Sequence, residues 1–370
     1  MREFPEVKKR LGFGMMRLPM VDGHVDTEQV KTMVDAFIEN GFNYFDTAHG
    51  YIDGQSELAV KECLTSRYPR DKYLLTDKLT DNFFNSEEDI DPVIHDELNA
   101  CGVEYFDFLL MHALNRFKYE HFMRNKAFEH AKRFKEEGLI RHIGISFHDT
   151  ADVLDKILSE HPEIEVVQIQ FNYLDYDDMT VQSRLCYETL VKHGKRAIVM
   201  EPIRGGSLIN LPGKAKELLD NSGHRPAELA LRFAASPEHM LVVLSGMSNI
   251  DQMLDNISFM KDFKPIDEEE FKLTQEIASL VGAENMIRCT SCRYCVKGCP
   301  MGILIPDLFG CLNSKQHFGN WMANHYYHNV ATVGHGKANE CIKCGQCEDV
   351  CPQKLPIREL LEQVSKEFDR

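Results

Sequence analysis

Apolar positions along the first 260 or so residues follow two alternating patterns. Short runs of apolar, β-branched and aromatic residues predict strands at 11–16, 42–46, 72–77, 106–111, 141–146, 165–170, 196–200 and 240–244. Several of these runs are apolar on both faces, such as Phe106–Met111 and Ala197–Met200, which suits a parallel sheet covered on both sides. Amphipathic stretches predict helices between them, at about 27–40, 55–66, 87–100, 120–137, 150–160, 180–193, 226–235 and 250–258. In the first, Val30, Met33, Val34, Phe37 and Ile38 recur at helical spacing, Asp26 or Thr27 can cap the start, and Gly41 follows the end. Eight strands alternating with eight helices is the count of a (β/α)8 TIM barrel. A doubly wound open sheet is the competing architecture, but no early strand is followed by GxGxxG.

The alternation stops near Phe263-Lys264-Pro265, and a charged helix is expected at about 267–281. We therefore expect a barrel over 1–262, a connecting helix over 263–282 and a second domain over 283–370. Cysteine placement gives that second domain its character. Nine of the 12 cysteines fall between Cys289 and Cys351. No apolar run approaches a membrane span and the first residues carry no apolar signal core, so a cytoplasmic, reducing location is expected. There, crowded cysteines indicate metal ligation and not disulfides.

Two segments repeat one spacing. Cys289, Cys292, Cys295 and Cys299 precede Pro300; Cys341, Cys344, Cys347 and Cys351 precede Pro352. This CxxCxxCxxxCP run is the bacterial ferredoxin spacing, in which the first three thiolates hold one cubane and the fourth ligates the other cluster. By that rule one [4Fe-4S] cluster takes Cys289, Cys292, Cys295 and Cys351, and the other takes Cys341, Cys344, Cys347 and Cys299. Structural zinc is the alternative, but it pairs two CxxC knuckles and does not use the third cysteine and following Pro. Cys63, Cys101, Cys186 and Cys311 read as packed thiols, and His317, His325, His328 and His335, with Trp321 among them, as packing or surface residues. The long segment between the motifs points to a mainly α-helical, ferredoxin-like domain.

Chemistry in a parallel barrel sits where strands end. Strand 42–46 ends in Asp46 with Tyr51 in its loop, strand 72–77 leads into Lys78, and strand 106–111 leads into His112. Asp46 and Lys78 are costly inside a barrel unless paired. The stretches Gly12–Pro19, Phe45–Tyr51, Thr76–Leu79, Leu110–His112 and Ile143–Ser146 resemble those of aldo/keto reductases. With the cysteine-rich tail, nearly the whole chain resembles an aldo/keto reductase fused to a 4Fe-4S dicluster ferredoxin domain.

That resemblance implies a catalytic Asp46, Tyr51, Lys78 and His112, with Tyr51 the general acid, Lys78 lowering its pKa, Asp46 holding Lys78, and His112 orienting the carbonyl. It implies NADP or NAD across the strand ends. Met15 and Met16 lie in the first matching stretch, Ser146 and Gln168 match the carboxamide positions and Asn172 fits the same pattern. Met200 stands where many relatives place an aromatic residue under the nicotinamide, and Phe147 where many have Asn. Pro202, Arg204, Gly205 and Gly206 match the pyrophosphate loop, with Arg204 expected to offset phosphate charge. The positions of the usual 2′-phosphate Lys and Arg carry Gly246 and Gln252, which weakens the case for NADP; Ser248, Gln252 and Asn256 remain candidates for the adenosine.

Lys+Arg 42 against Asp+Glu 58 gives a net charge of −16, which disfavours nucleic acid as a partner. The expected activity is interconversion of a small carbonyl compound and its alcohol, with the clusters serving electron transfer, through a redox partner protein, or structure. No flavin motif is present to bridge hydride and one-electron chemistry. The competing reading is an electron-transfer protein whose barrel only binds a nucleotide or a partner.

Overall fold

A computed structural model describes residues 4–283, 286–287, 289, 291–318 and 321–369, with the side chains of Ala283, His317 and Phe318 outside the description. Eight parallel strands close into a barrel: β1 (Leu11–Gly14), β2 (Tyr44–Asp46), β3 (Leu74–Leu79), β4 (Phe106–Leu114), β5 (Ile140–Phe147), β6 (Val166–Gln170), β7 (Arg196–Met200) and β8 (Met240–Ser245). Closure is carried by β1, which pairs with β2 on one side and β8 on the other, and this excludes the open sheet.

Residues two apart along each strand point the same way. Tyr44, Leu74, Phe108, Leu110, Val166, Ile198, Val242 and Leu244 point inward and fill the barrel, and Phe4 and Val7 close its lower end. The Phe4 ring packs on Phe108 and His142, with centroids 5.9 and 4.9 Å away. Two inward positions are glycine, where a side chain would crowd the interior. A Cβ on Gly12 would lie 2.7 Å from Leu244 Cδ2, and one on Gly144 would lie 2.4 Å from Leu110 Cδ2. The outward strand residues form a separate, larger core with the helices. Helix Thr27–Glu39 shows the local logic: Asp26 accepts from Gln29 N, and Val30, Met33, Val34 and Phe37 are buried.

Five local features differ from the sequence expectation. Met15–Arg17 form a 3-10 turn in place of the end of the first strand. The expected helix at 55–66 is α-helical over Gln55–Val60 and then widens to a π turn over Lys61–Thr65. The stretch 120–137 is two helices, Arg116–Arg124 and Ala127–Glu137, broken where Lys126 adopts φ 53°. A helix at Gly213–Ser222, which buries Ala215 and Leu219, was not anticipated. Nor was a small hairpin, Met20–Val21 with His24–Val25, although its Asp22-Gly23 turn, with φ 51° and 81°, suits the pair of left-handed positions such a turn needs.

Helix Glu268–Ala283 lies on the barrel, with Phe271 stacked on Phe233 and Glu270 paired with Arg232. The cysteine-rich region that follows is built from helices Tyr294–Lys297, Ile305–Phe318, Met322–Tyr326, Gln346–Asp349 and Ile357–Phe368. They enclose a second core that includes Leu308, Phe309, Leu312, Tyr327, Leu361 and Val364. This region docks on loops at the carboxyl ends of β5 and β6. Trp321 packs on His148 (5.1 Å between centroids), Ser314 Oγ lies 3.1 Å from Thr180 Oγ1, and Gly310 approaches Met179 so closely that an added Cβ would overlap its sulfur.

Candidate active site and cysteine centres

The barrel rim brings the four ionisable residues together. Asp46 ends β2, Lys78 lies in β3 on its inward face, His112 lies on the inward face of β4, and Tyr51 follows β2. Lys78 Nζ donates to Asp46 Oδ1 at 2.7 Å and to the Thr47 carbonyl at 2.6 Å, and lies 4.7 Å from the centre of the Tyr51 ring. The Tyr51 and His112 rings meet edge to face at 5.8 Å. Thr80, two residues after Lys78 and on the same face, lies 2.6 Å from His112 Nδ1. Thr80 was not anticipated, although strand alternation from Lys78 points to it.

Burial and charge set the ionisation of the group. Burial pulls Lys78 down, but the charges of Asp46 and Tyr51 outweigh it and hold the ammonium above its ordinary value. Burial pushes Tyr51 up, and the opposing Lys78 charge does not overcome it, so the net direction is opposite to the sequence expectation. Burial, then the charge of Lys78, holds His112 well below an ordinary imidazole, so it is neutral near pH 7.

Around the same rim lies a cavity of about 610 Å³, lined by Pro202, Gly205, Gly206, Gly246, Ser248, Gln252 and Asn256 among others. Gly205 and Gly206 hold φ of 62° and 96°, and a Cβ on Gly206 would meet nothing within 4 Å, so the backbone there is open to a ligand. A cavity of this size with an exposed glycine turn fits an extended dinucleotide. Ser248 Oγ donates to the Arg17 carbonyl, Gln252 Oε1 accepts from Ser248 N, and Asn256 Nδ2 donates to Ser245 Oγ.

Other candidates fall elsewhere. Met15 is buried in the strand–helix core, whereas Met16 is exposed. Ser146 Oγ accepts from Ala113 N at 2.6 Å, and Gln168, its register neighbour, reaches towards Asp46 Oδ2 at 3.4 Å. Met200 ends β7, half-buried. Asn172 donates to Asp175 and to the Glu201 carbonyl. Arg204 does not face the cavity as expected; its Nε donates to buried Asp175 Oδ1 at 2.9 Å, because that carboxylate would otherwise lack a cation. Among the described residues, the cations lining the cavity are Arg17 and Arg225, and Asp251 and Asp255 line it too. Arg225 pairs with Asp255 and Glu228. Arg17 comes from the turn Met15–Arg17 and Arg225 is the N-cap residue of helix Pro226–Ala235, whereas Asp251 and Asp255 lie one turn apart on helix Ile250–Met260.

The cysteines gather in two groups. Cys289, Cys292 and Cys295 line one cavity together with Cys351, some sixty positions away. Cys341, Cys344 and Cys347 line a second with Cys299. Each cavity is walled by apolar side chains, Ile305 and Phe309 in one and Ile303 and Leu361 in the other. Four convergent thiols in an apolar shell are a donor set that fits a [4Fe-4S] cluster.

A family model described as the aldo/keto reductase family matches residues 10–279, and one described as a 4Fe-4S dicluster domain matches residues 288–355. L-galactose dehydrogenase of Arabidopsis thaliana is 24% identical over 298 residues, spanning 75% of this chain and 92% of that protein. An uncharacterized oxidoreductase of Schizosaccharomyces pombe is 23% identical over 269 residues, spanning 68% of this chain and 81% of that protein. The holo form of an aldo-keto reductase from Bacillus halodurans superposes with a TM-score of 0.60 at 24% identity, over 73% of this chain and 92% of that one. An aldo-keto reductase from Klebsiella pneumoniae in complex with NADPH gives 0.59 at 18% identity, over 74% of this chain and 95% of that one. With more than half its length matched by that family model, the chain belongs to the aldo/keto reductase family of NAD(P)-dependent oxidoreductases and carries a 4Fe-4S dicluster domain behind its barrel.

Proposed function

We propose that the protein interconverts a small carbonyl compound and its alcohol at the rim formed by Asp46, Tyr51, Lys78 and His112. The observation that carries this reading is the placement of Lys78, held by Asp46 at 2.7 Å and lying 4.7 Å from the centre of the Tyr51 ring. A bound nicotinamide dinucleotide supplies the hydride. Tyr51 holds the proton that the carbonyl oxygen takes up, and its upward-shifted pKa keeps that proton in place until the oxygen becomes basic. Lys78 then stabilises the phenolate left behind. Thr80 Oγ1, 2.6 Å from His112 Nδ1, fixes the imidazole ring, and neutral His112 is placed to orient a carbonyl by a hydrogen bond. Tyr51→Phe is expected to lower carbonyl turnover by about 100-fold or more while leaving nucleotide affinity and cluster absorbance intact. Unchanged turnover would remove Tyr51 from the mechanism.

The dinucleotide is held along the cavity from Gly205-Gly206 to Asn256. The positions matched to the 2′-phosphate carry no charge, and Asp251 and Asp255 line the same cavity. Arg17 and Arg225 line it as well, but Arg17 is paired with Glu201 and Arg225 with Asp255, so neither offers an uncompensated cation to a 2′-phosphate. NADH is therefore expected to bind about tenfold or more tightly than NADPH. Titration of both by intrinsic fluorescence checks this, and tighter binding of NADPH would sink it.

The eight motif cysteines would hold two [4Fe-4S] clusters, each taking three ligands from one motif and one from the other. Bound clusters supply one-electron transfer, to a redox partner protein or to the barrel. Anaerobic addition of NADH, followed by EPR, separates the cases. Reduced-cluster signals mean electronic coupling between the domains; nucleotide binding without them assigns the clusters to an outside partner or to structure. A carbonyl panel without turnover, despite nucleotide binding, would favour a pure electron-transfer protein.

A further inference from the structure

On the outward face of β3, behind Lys78, four acidic groups are buried together. Glu57, Asp77, Glu97 and Cys101 have at most 1% of their surface exposed. They come from helix Gln55–Val60, from β3 and from helix Ile90–Cys101. One ligand atom each from Glu57, Asp77 and Cys101 lies within 4.8 Å of the other two. Glu97 is four residues before Cys101 and so on the same helix face, and the charges it feels most are Asp77 and then Glu57.

Polar partners are too few. Asp77 Oδ1 accepts the Lys78 N–H, and Cys101 Sγ donates to Asp77 Oδ2 at 3.4 Å. Glu57 Oε2 meets His49 at 2.9 Å. No donor reaches Glu57 Oε1 or either oxygen of Glu97. Lys78 cannot serve, because its ammonium is committed to Asp46 and Thr47 on the opposite face of the strand. A fully buried carboxylate without a donor or a cation is strongly destabilising.

We propose that Glu57, Asp77 and Cys101 bind a divalent cation of the zinc class, whose charge also offsets that of buried Glu97. Zinc takes thiolate and carboxylate ligands in one tetrahedral site, whereas magnesium and calcium do not take thiolate. On binding, the Cys101 thiol loses its proton to solvent and an S–metal bond forms; nothing is oxidised or reduced. The cation ties the two helices to β3 and so fixes the strand that carries Lys78. It is separate from the motif cysteines, and it gives Cys101 a role beyond packing.

The test is elemental analysis of the anaerobically purified holoprotein, reading zinc, manganese, cobalt and nickel beside iron. About one zinc-class cation per chain is expected in addition to cluster iron. Glu57→Gln and Cys101→Ser should each release most of it with iron content unchanged. Zinc-edge X-ray absorption on the unmodified protein does not depend on the variants folding, and should show one sulfur with oxygen neighbours. No cation beyond iron after growth in zinc-supplemented medium would overturn the proposal and leave the cluster held by protons. A four-sulfur zinc shell, or zinc retained in both variants, would overturn it by placing the metal at the motif cysteines.

Discussion

Lys78 Nζ lies between Asp46 Oδ1 at 2.7 Å and the Thr47 carbonyl at 2.6 Å, with no solvent reaching its side chain. Removing the carboxylate leaves a buried cation facing one carbonyl, which costs about 3–5 kcal/mol. Asp46→Asn is therefore expected to lower unfolding free energy by about that much, read from denaturant midpoints. His148, at the end of β5 under Trp321, gives a pH signature. Burial, then the charge of His325, lowers it to about 4. Between the unfolded value near 6.5 and about 4, the unfolded chain binds the proton and the folded one does not. The stability this group contributes is thus full above pH 6.5 and is lost as pH falls towards 4. A series of Tm values should show the protein losing stability relative to His148→Gln across that window. Parallel curves would refute the shift.

At the scale of single elements, close packing decides which substitutions the barrel tolerates. A Cβ on Gly144 of β5 would meet Leu110 Cδ2 at 2.4 Å and Val166 Cγ2 at 2.6 Å, both in the filled interior. Gly144→Ala is expected to cost about 1–3 kcal/mol through overpacking, whereas an alanine at Gly12 faces one clash, with a movable Leu244 methyl, and should cost less. Chemical denaturation of both variants tests the order. Much of the element pattern was legible in the sequence, because a strand or helix is defined by residues two to four positions apart. One miss has a local cause. The split at Asn125-Lys126 reflects a left-handed residue that apolar spacing does not reveal.

Across the whole molecule, the cysteine-rich region rests on the face of the barrel where its site lies. Asp149 joins three parts there. It pairs with Arg116, accepts from the Thr150 backbone, and faces His325 Nε2 at 3.7 Å. The cavity shared by Cys351 with Cys289, Cys292 and Cys295 carries a prediction at this scale. Cys351→Ala should perturb the EPR signal of the cluster held by the first motif, while Cys299→Ala should perturb that of the second. The reverse assignment would mean that each motif holds its own cluster.

Residue identities, spacing and period were enough to indicate a barrel of alternating strands and helices, a CxxCxxCxxxCP pair, and ionisable residues at three strand ends, because all of these are properties of neighbouring positions. Closure was not, since it depends on β1 meeting β8 across more than two hundred residues. The same holds for the turn of Arg204 towards Asp175 and away from the cavity, and for the net rise of the Tyr51 pKa. Each depends on which distant groups are brought within a few ångströms and on how much water folding removes around them, and only the closed tertiary structure decides either.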